Sequence, residues 1–439
     1  MLRGHRFEPV VLALVAVSAL STVNLAGPQD RTRYELTRHI VLYHTLTVEP
    51  GLFDRAVFAG RTYSDKAPGM SLLALPAYEA ERLAGIARAP RDWSAEGDLS
   101  LWLLRLLTSG VLFLVAVFLV GRVAEGLSPA TGAATAATFG VATLAAPLAP
   151  TLFEHDAAGA FAFAAFVLVW RGRRSSHLAL AGLCAGVAVL FQYAAALAAL
   201  AIGVYCAGRT LRRFGWFLLG ALPPAFALGA YDRLAFGSPF HLSYRYVANR
   251  FAERQHHGFF GIGFPTLDGL RETLVGSRGL LITSPVCAAA VVGLALLWRR
   301  GHRAEAATAA GIAILFVMVE AGYFLPYGGT SPGPRFLGPA LPFLALGLPP
   351  AFERFPRTTL GLALASAVLT AANSLTWTIR GPDARSWLPT VDELGKTVWA
   401  WLGADRTVGA ALVAAAACGA LVIAALPLVR RSAAAAAHG

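Results

Sequence analysis

The run SLWLLRLLTSGVLFLVAVFLVG, residues 100–121, holds one charged side chain, Arg105, among 22 positions. At ~1.5 Å of rise per residue it makes a helix of ~33 Å, enough to cross a hydrocarbon layer of ~30 Å. Apolar residues on every face exclude the one-sided pattern of a soluble surface helix. Similar runs fall at about 8–26, 128–149, 153–170, 177–191, 193–208, 215–231, 280–298, 306–325, 336–352, 358–378 and 407–428. The chain is 56% hydrophobic and 14% charged, with mean hydropathy +0.58. These features specify an all-α polytopic membrane protein of about twelve transmembrane helices, one integral membrane unit over residues 1–439. No small-residue cleavage site follows the first run, so it reads as an uncleaved span. Cys184, Cys206, Cys287 and Cys418 all lie in apolar runs and read as small core residues.

Charge orients the chain. Of 37 cationic side chains, all but Lys66 and Lys396 are arginine. Arginines occupy alternate short connections: Arg3 and Arg6, Arg122, Arg171 to Arg174, Arg209 to Arg213, Arg299 to Arg303, Arg354 and Arg357, Arg430 and Arg431. The positive-inside rule puts these connections and both termini in the cytoplasm, and the arginine-for-lysine and alanine-rich bias suggests a GC-rich bacterial genome, hence a bacterial inner membrane. Loops 27–99, 232–279 and 379–406 hold 18 of the 25 acids. The face able to do chemistry is therefore extracytoplasmic. The dispersed basic residues are no nucleic-acid signature. With no ATP motif, a reaction on that face needs a pre-activated substrate delivered in the membrane.

The first outer loop is too long for a plain connector. Leu36, Ile40, Tyr43 and Leu46 recur at helical spacing after Asp30, which is placed as the N-cap. The pattern predicts an amphipathic helix on the membrane surface, and 70–87 predicts a second interfacial segment. Between them stands Tyr63-Ser64-Asp65-Lys66-Ala67-Pro68-Gly69. A chain so biased toward arginine that keeps a lysine beside an aspartate in a tight turn points to a site requiring a compact ammonium.

The order of motifs resembles the membrane-embedded glycosyltransferases of the C superfamily (GT-C), in particular the phospholipid-carrier-dependent branch that includes protein mannosyltransferases and the aminoarabinose transferase of lipid A. The resemblance runs from Asp30-Arg31-Thr32-Arg33-Tyr34 through Asp54-Arg55-Ala56 and Gly60 to Gly69. It continues over Tyr231-Asp232-Arg233, Ser277-Arg278-Gly279 and Tyr327 to Phe336. It implies a GT-C-like fold and an inverting sugar transfer on the outer face, from a polyprenyl-phosphate carrier to a lipid, glycan or protein acceptor. It also implies that Asp30 acts as base, and that Asp65 and Lys66 lie at the carrier phosphate, in some relatives with a divalent metal. Many relatives carry an acidic pair where Asp30 stands alone, which leaves Asp54 as a rival base.

The chemistry of the residues agrees. Transfer from a phosphate-linked sugar needs a base for the incoming hydroxyl and cations for the departing phosphate. Asp30 and Asp54 are the candidate bases; Lys66, Arg278 and Arg335 are the candidate phosphate contacts. Glu154-His155-Asp156 at a membrane edge could complete an oxygen/nitrogen metal site with Asp65. His256-His257 are candidate acceptor or metal contacts. Glu320 and Gln192 read as satisfied polar contacts, and Arg105 as the partner of an acid of the outer site. Trp377, Trp387, Trp399 and Trp401 read as an interfacial belt, and the alanine-rich tail as disordered. Loops 27–99 and 232–279 would form the active face. Two other readings stand beside this one: a transporter or flippase for a polyprenyl-linked glycan, and an O-antigen-type ligase. An enzyme would turn Asp30 and Lys66 toward one outward cavity; a transporter would centre its cavity between both sides.

Overall fold

Hydrocarbon offers no partner to a peptide group, so apolar runs of this length satisfy their backbones as helices. The computed structural model describes residues 8–23, 25–87, 98–376 and 394–436, with no side-chain detail for 429–436. The expected cytoplasmic ends at 1–7 and 437–439, and Trp377 and Trp387, lie outside the described residues. Among the described residues, six helices are long and apolar enough to cross a membrane: Leu99–Leu127, Leu211–Phe236, Arg303–Gly322, Arg335–Arg354, Pro356–Thr376 and Arg406–Leu428. A bent pair, Leu267–Thr283 and Val286–Arg299, meets at 93° and adds a seventh if counted as one span. The protein is a multi-pass membrane protein.

Every one of the twelve runs carries helix, but length and composition qualify only six or seven as crossings. The difference lies in the breaks. Run 128–149 stops at Val141 and resumes only as Ala145–Leu148, with Pro147 and Pro150 close by. The first run gives only α1 (Glu8–Leu20). The tail departs from expectation in the opposite direction. The last helix continues to Ala436, as the helix propensity of alanine favours.

The helix Arg335–Arg354 is the hub, with 89% of its apolar window buried, whereas Leu211–Phe236 is 17% buried and peripheral. The hub helix meets Val286–Arg299 backbone to backbone. A Cβ on Gly347 would lie 1.9 Å from the Ala290 carbonyl oxygen, and one on Gly293 1.7 Å from that of Gly347. Small residues substitute for a hydrophobic driving force between membrane helices by allowing this approach.

The two ends of the bundle differ in chemistry. At one end Arg213 donates to the carbonyls of Val169 and Gly172, Arg209 pairs with Glu305 at 2.9 Å, and Arg300 pairs with Glu353 at 2.5 Å. At the other lie α2 (Pro28–Tyr43), α3 (Gly69–Leu83) and an antiparallel hairpin, Ala56–Phe58 with Arg61–Tyr63. Ala59 (φ 48°) and Gly60 (φ 74°) close the hairpin in the doubly left-handed two-residue turn that matches strand twist.

α2 differs from the expected surface helix. It begins at Pro28, and Gln29, Asp30, Thr32, Arg33, Glu35, Thr37 and His39 are all buried in it. Its apolar side, Leu36 and Ile40, packs with Leu52, Tyr63, Tyr231 and Phe236. The polar sides are therefore turned into the protein, which is why its mean hydropathy is low while its burial is high.

Candidate active site

Gly27 is the N-cap of α2, and Asp30 is the third helical residue. Its Oδ2 accepts the Gly27 N–H at 2.9 Å and pairs with Arg105 Nη2 at 3.1 Å, while Oδ1 accepts the Leu152 N–H at 2.6 Å. Arg105 thus finds an acid partner, as expected, and that acid is Asp30. One turn on, buried Arg33 pairs with Glu154 and donates to Gln29 Oε1 at 2.9 Å.

The hairpin delivers Ser64-Asp65-Lys66. Ser64 Oγ accepts the Lys66 N–H at 3.2 Å, and Ser243 donates to the Asp65 carbonyl at 2.9 Å. Pro68-Gly69 then starts α3 against another helix end. A Cβ on Gly69 would sit 2.6 Å from the Leu190 carbonyl oxygen, so only glycine fits. The turn therefore has a fixed position, and with it Lys66. The ammonium stands 3.1 Å from Asp65 Oδ2 and 3.2 Å from Asp54 Oδ2. Burial pushes the Asp65 carboxyl up to about 6, with Lys66 pulling down and Asp54 pushing up. Burial works against the Lys66 charge, yet Asp54 and Asp65 raise its pKa above the usual lysine value.

These groups line a cavity of about 1030 Å³. Its polar end has Asp54, Asp65, Lys66, Glu154 and Arg335; its apolar wall includes Val189, Leu197, Leu228 and Val319. Arg335 lies 5.7 Å from the Phe153 ring and 5.6 Å from the Phe336 ring, and its buried Nε has no hydrogen-bond partner. Arg335 lines the same cavity as Lys66.

Other expected site residues stand apart from the cavity. Asp30 is 1% exposed and does not line it. Arg278 donates to the Gly329 carbonyl at 3.0 Å, holding the turn ahead of Arg335 rather than reaching the cavity. His155 packs edge-on against Phe153 and Phe336, and Asp156 is buried beside it without lining the cavity. His256 and His257 are exposed, while the neighbouring Gln255 lines the cavity. The quartet Asp65, Glu154, His155 and Asp156 does not fit a metal. Lys66 holds Asp65, Arg33 holds Glu154, and the four donors do not converge among the described residues. Glu320 Oε2 accepts the Phe336 N–H at 2.7 Å, but its buried Oε1 has no hydrogen-bond partner, so the satisfied contact expected of it is only half made.

The cavity also includes groups that sequence reasoning missed: Arg31, Tyr193, Tyr244, Arg250 and Tyr323. Arg250 lies over the rings of Phe251 (4.8 Å) and Phe53 (5.6 Å). Its signal was local, an arginine between Asn249 and Phe251 in the loop after Leu211–Phe236, but only folding brings Phe53 to it.

No protein-family model and no curated protein sequence matches the chain. Solved structures do. The crystal structure of ArnT from Cupriavidus metallidurans in the apo state superposes with TM-score 0.55 at 17% identity, over 96% of this chain and 76% of that one. The Archaeoglobus fulgidus oligosaccharyltransferase, crystallised in complex with Zn and sulfate, superposes with TM-score 0.51 at 16% identity, over 85% of this chain and 53% of that one. The chain has the fold of these two proteins.

Proposed function

We propose that the protein is an inverting glycosyltransferase that moves a sugar from a polyprenyl-phosphate carrier to a hydroxyl of a lipid, glycan or protein acceptor, on the extracytoplasmic face of a bacterial inner membrane. One observation carries the reading: a single cavity joins an anchored ammonium, the Arg335 guanidinium and three carboxylates to a long apolar wall. That combination suits a phosphate head with a prenyl tail. The acceptor oxygen attacks the anomeric carbon, the bond from that carbon to the phosphate oxygen breaks, and the hydroxyl proton passes to a carboxylate. Of the two candidate bases, Asp54 lines the cavity and Asp30 does not, so Asp54 takes this role. Lys66 and Arg335 receive the charge growing on the departing prenyl phosphate. The test is turnover of prenyl-phosphate sugars by purified protein, with mass spectrometry of envelope glycans from a deletion strain to name sugar and acceptor. A purified protein that moves intact carrier across vesicles without cleaving it would favour the transporter reading.

Sidedness has its own test. Ser64 is buried, so a cysteine is better placed at exposed Arg61, with Ser175 on the opposite end. In a cysteine-free background, the Arg61→Cys protein should react with an impermeant thiol reagent in intact spheroplasts, and Ser175→Cys should not. The reverse pattern would put the cavity on the cytoplasmic face.

The Asp65 carboxyl predicts a pH dependence. A pKa raised to about 6 means that the site favours the neutral acid. A phosphodiester donor stays anionic throughout this range, and its charge opposes ionised Asp65 in the same cavity. Donor affinity should therefore rise as pH falls from about 7.5 to 5, and the slope should vanish in Asp65→Asn. Equal slopes in both proteins would assign the effect to another group.

A further inference from the structure

We propose that Glu35, His39 and Glu49 form a divalent-metal site, separate from the cavity, that clamps α2 to the segment carrying Asp54. Glu35 and His39 are one helical turn apart on the same face of α2, and Glu49 comes from the loop between α2 and the hairpin. One ligand atom from each lies within 4.8 Å of the others. His39 Nε2 stands 3.5 Å from Glu35 Oε2 and 3.5 Å from Glu49 Oε1. Those gaps exceed a good N–H···O hydrogen bond. They match the ~3.3–3.6 Å that separates two ligands bound at ~2.0–2.2 Å to a tetrahedral ion.

The independent pointer is the imidazole. His39 is 8% exposed, and neither of its ring nitrogens has a hydrogen-bond partner. An orphaned buried imidazole is costly, and this one is directed between two carboxylates. Arg38 donates to Glu35 Oε2 at 2.9 Å. That contact is compatible with metal binding, since a carboxylate has lone pairs for both and ligating carboxylates are commonly oriented by such donors. One imidazole and two carboxylates suit Zn²⁺ or Mn²⁺. The Glu49 side chain is 57% exposed, so solvent can reach the ion and complete its shell. Glu49 precedes Asp54 by five residues, and Leu52 between them packs under α2. An ion here would tie the loop at both ends.

The experiment uses the full-length protein in detergent with a non-histidine tag, stripped with chelator and titrated with Zn²⁺. We expect one equivalent bound with micromolar affinity or better, a thermal midpoint that rises with Zn²⁺ and returns with EDTA, and at least tenfold weaker binding in His39→Gln and in Glu49→Gln. The variants should melt with the wild type in EDTA, which separates lost binding from lost folding. The double variant His256→Ala/His257→Ala should bind normally. No stoichiometric binding to the wild type at ~100 µM Zn²⁺, or unchanged binding in His39→Gln, would overturn the site and leave the His39 ring between two carboxylates without an ion. Neither result bears on the transferase reading, whose turnover assay needs none of these residues at the cavity.

Discussion

Lys66→Ala should lower turnover of a prenyl-phosphate sugar by the equivalent of ~2–4 kcal/mol, the scale for removing one preorganised donor, or ~30-fold to ~1000-fold. The protein should still fold and insert, because the turn is set by Ser64, Ser243 and the Gly69 contact with Leu190. Those contacts do not use the ammonium. The more discriminating change is Lys66→Arg. The ammonium sits between Asp65 Oδ2 at 3.1 Å and Asp54 Oδ2 at 3.2 Å. It has three donors, so it can keep one carboxylate and offer a proton to an arriving phosphate. A guanidinium is longer and planar, and it would grip a carboxylate bidentately instead of sharing itself among three anions. The expected outcome is an Arg variant nearly as slow as the Ala variant, measured as turnover in detergent. Wild-type rates in Lys66→Arg would mean that any cation suffices. Wild-type rates in Lys66→Ala would remove the phosphate role altogether.

Hydropathy made the membrane class legible, because burying a helix in lipid leaves its mark on every residue of the run. It did not make the number of crossings legible. Proline and short breaks such as 142–144 change helix length without changing composition. The Asp65-Lys66 turn was legible for a different reason: a tight turn confines its chemistry to a few consecutive residues. Arg105 announced itself as a lone charge in a 22-residue apolar run. Its partner could not be named, since the Arg105–Asp30 pair joins residues 75 positions apart. The same distance problem hid Arg33–Glu154 and the approach of Phe53 to Arg250. α2 was misread because periodicity records only apolar burial. Its polar residues are buried against other polar residues, and that leaves no periodic trace.

Asp30 and Asp54 should respond to the same substitution for opposite reasons. Asp30 is 1% exposed, with its carboxylate shared among Arg105, Gly27 and Leu152. In Asp30→Asn the amide oxygen can keep one backbone contact, but Arg105 is left as a buried charge without its acid. Breaking such a pair costs ~3–5 kcal/mol, at the lower end here because Arg105 also donates to the Leu25 carbonyl at 3.2 Å. Asp30→Asn should therefore lower thermal stability and, through the start of α2, turnover as well. Asp54 lines the cavity and pairs only with Lys66 among the ion pairs of the described residues. When donor phosphate draws the ammonium toward itself, the Asp54 carboxylate is released from its ion pair and can accept the acceptor hydroxyl's proton. Asp54→Asn should leave the melting transition within ~1 kcal/mol of wild type and lower turnover at least ~100-fold, the scale for losing a general base. Turnover must be normalised to folded protein, with the melt of each variant recorded in the same detergent. If Asp30→Asn stays as stable as wild type yet loses ~100-fold, while Asp54→Asn turns over normally, the base is Asp30. The contacts that now hold its carboxylate would then have to open when the donor enters.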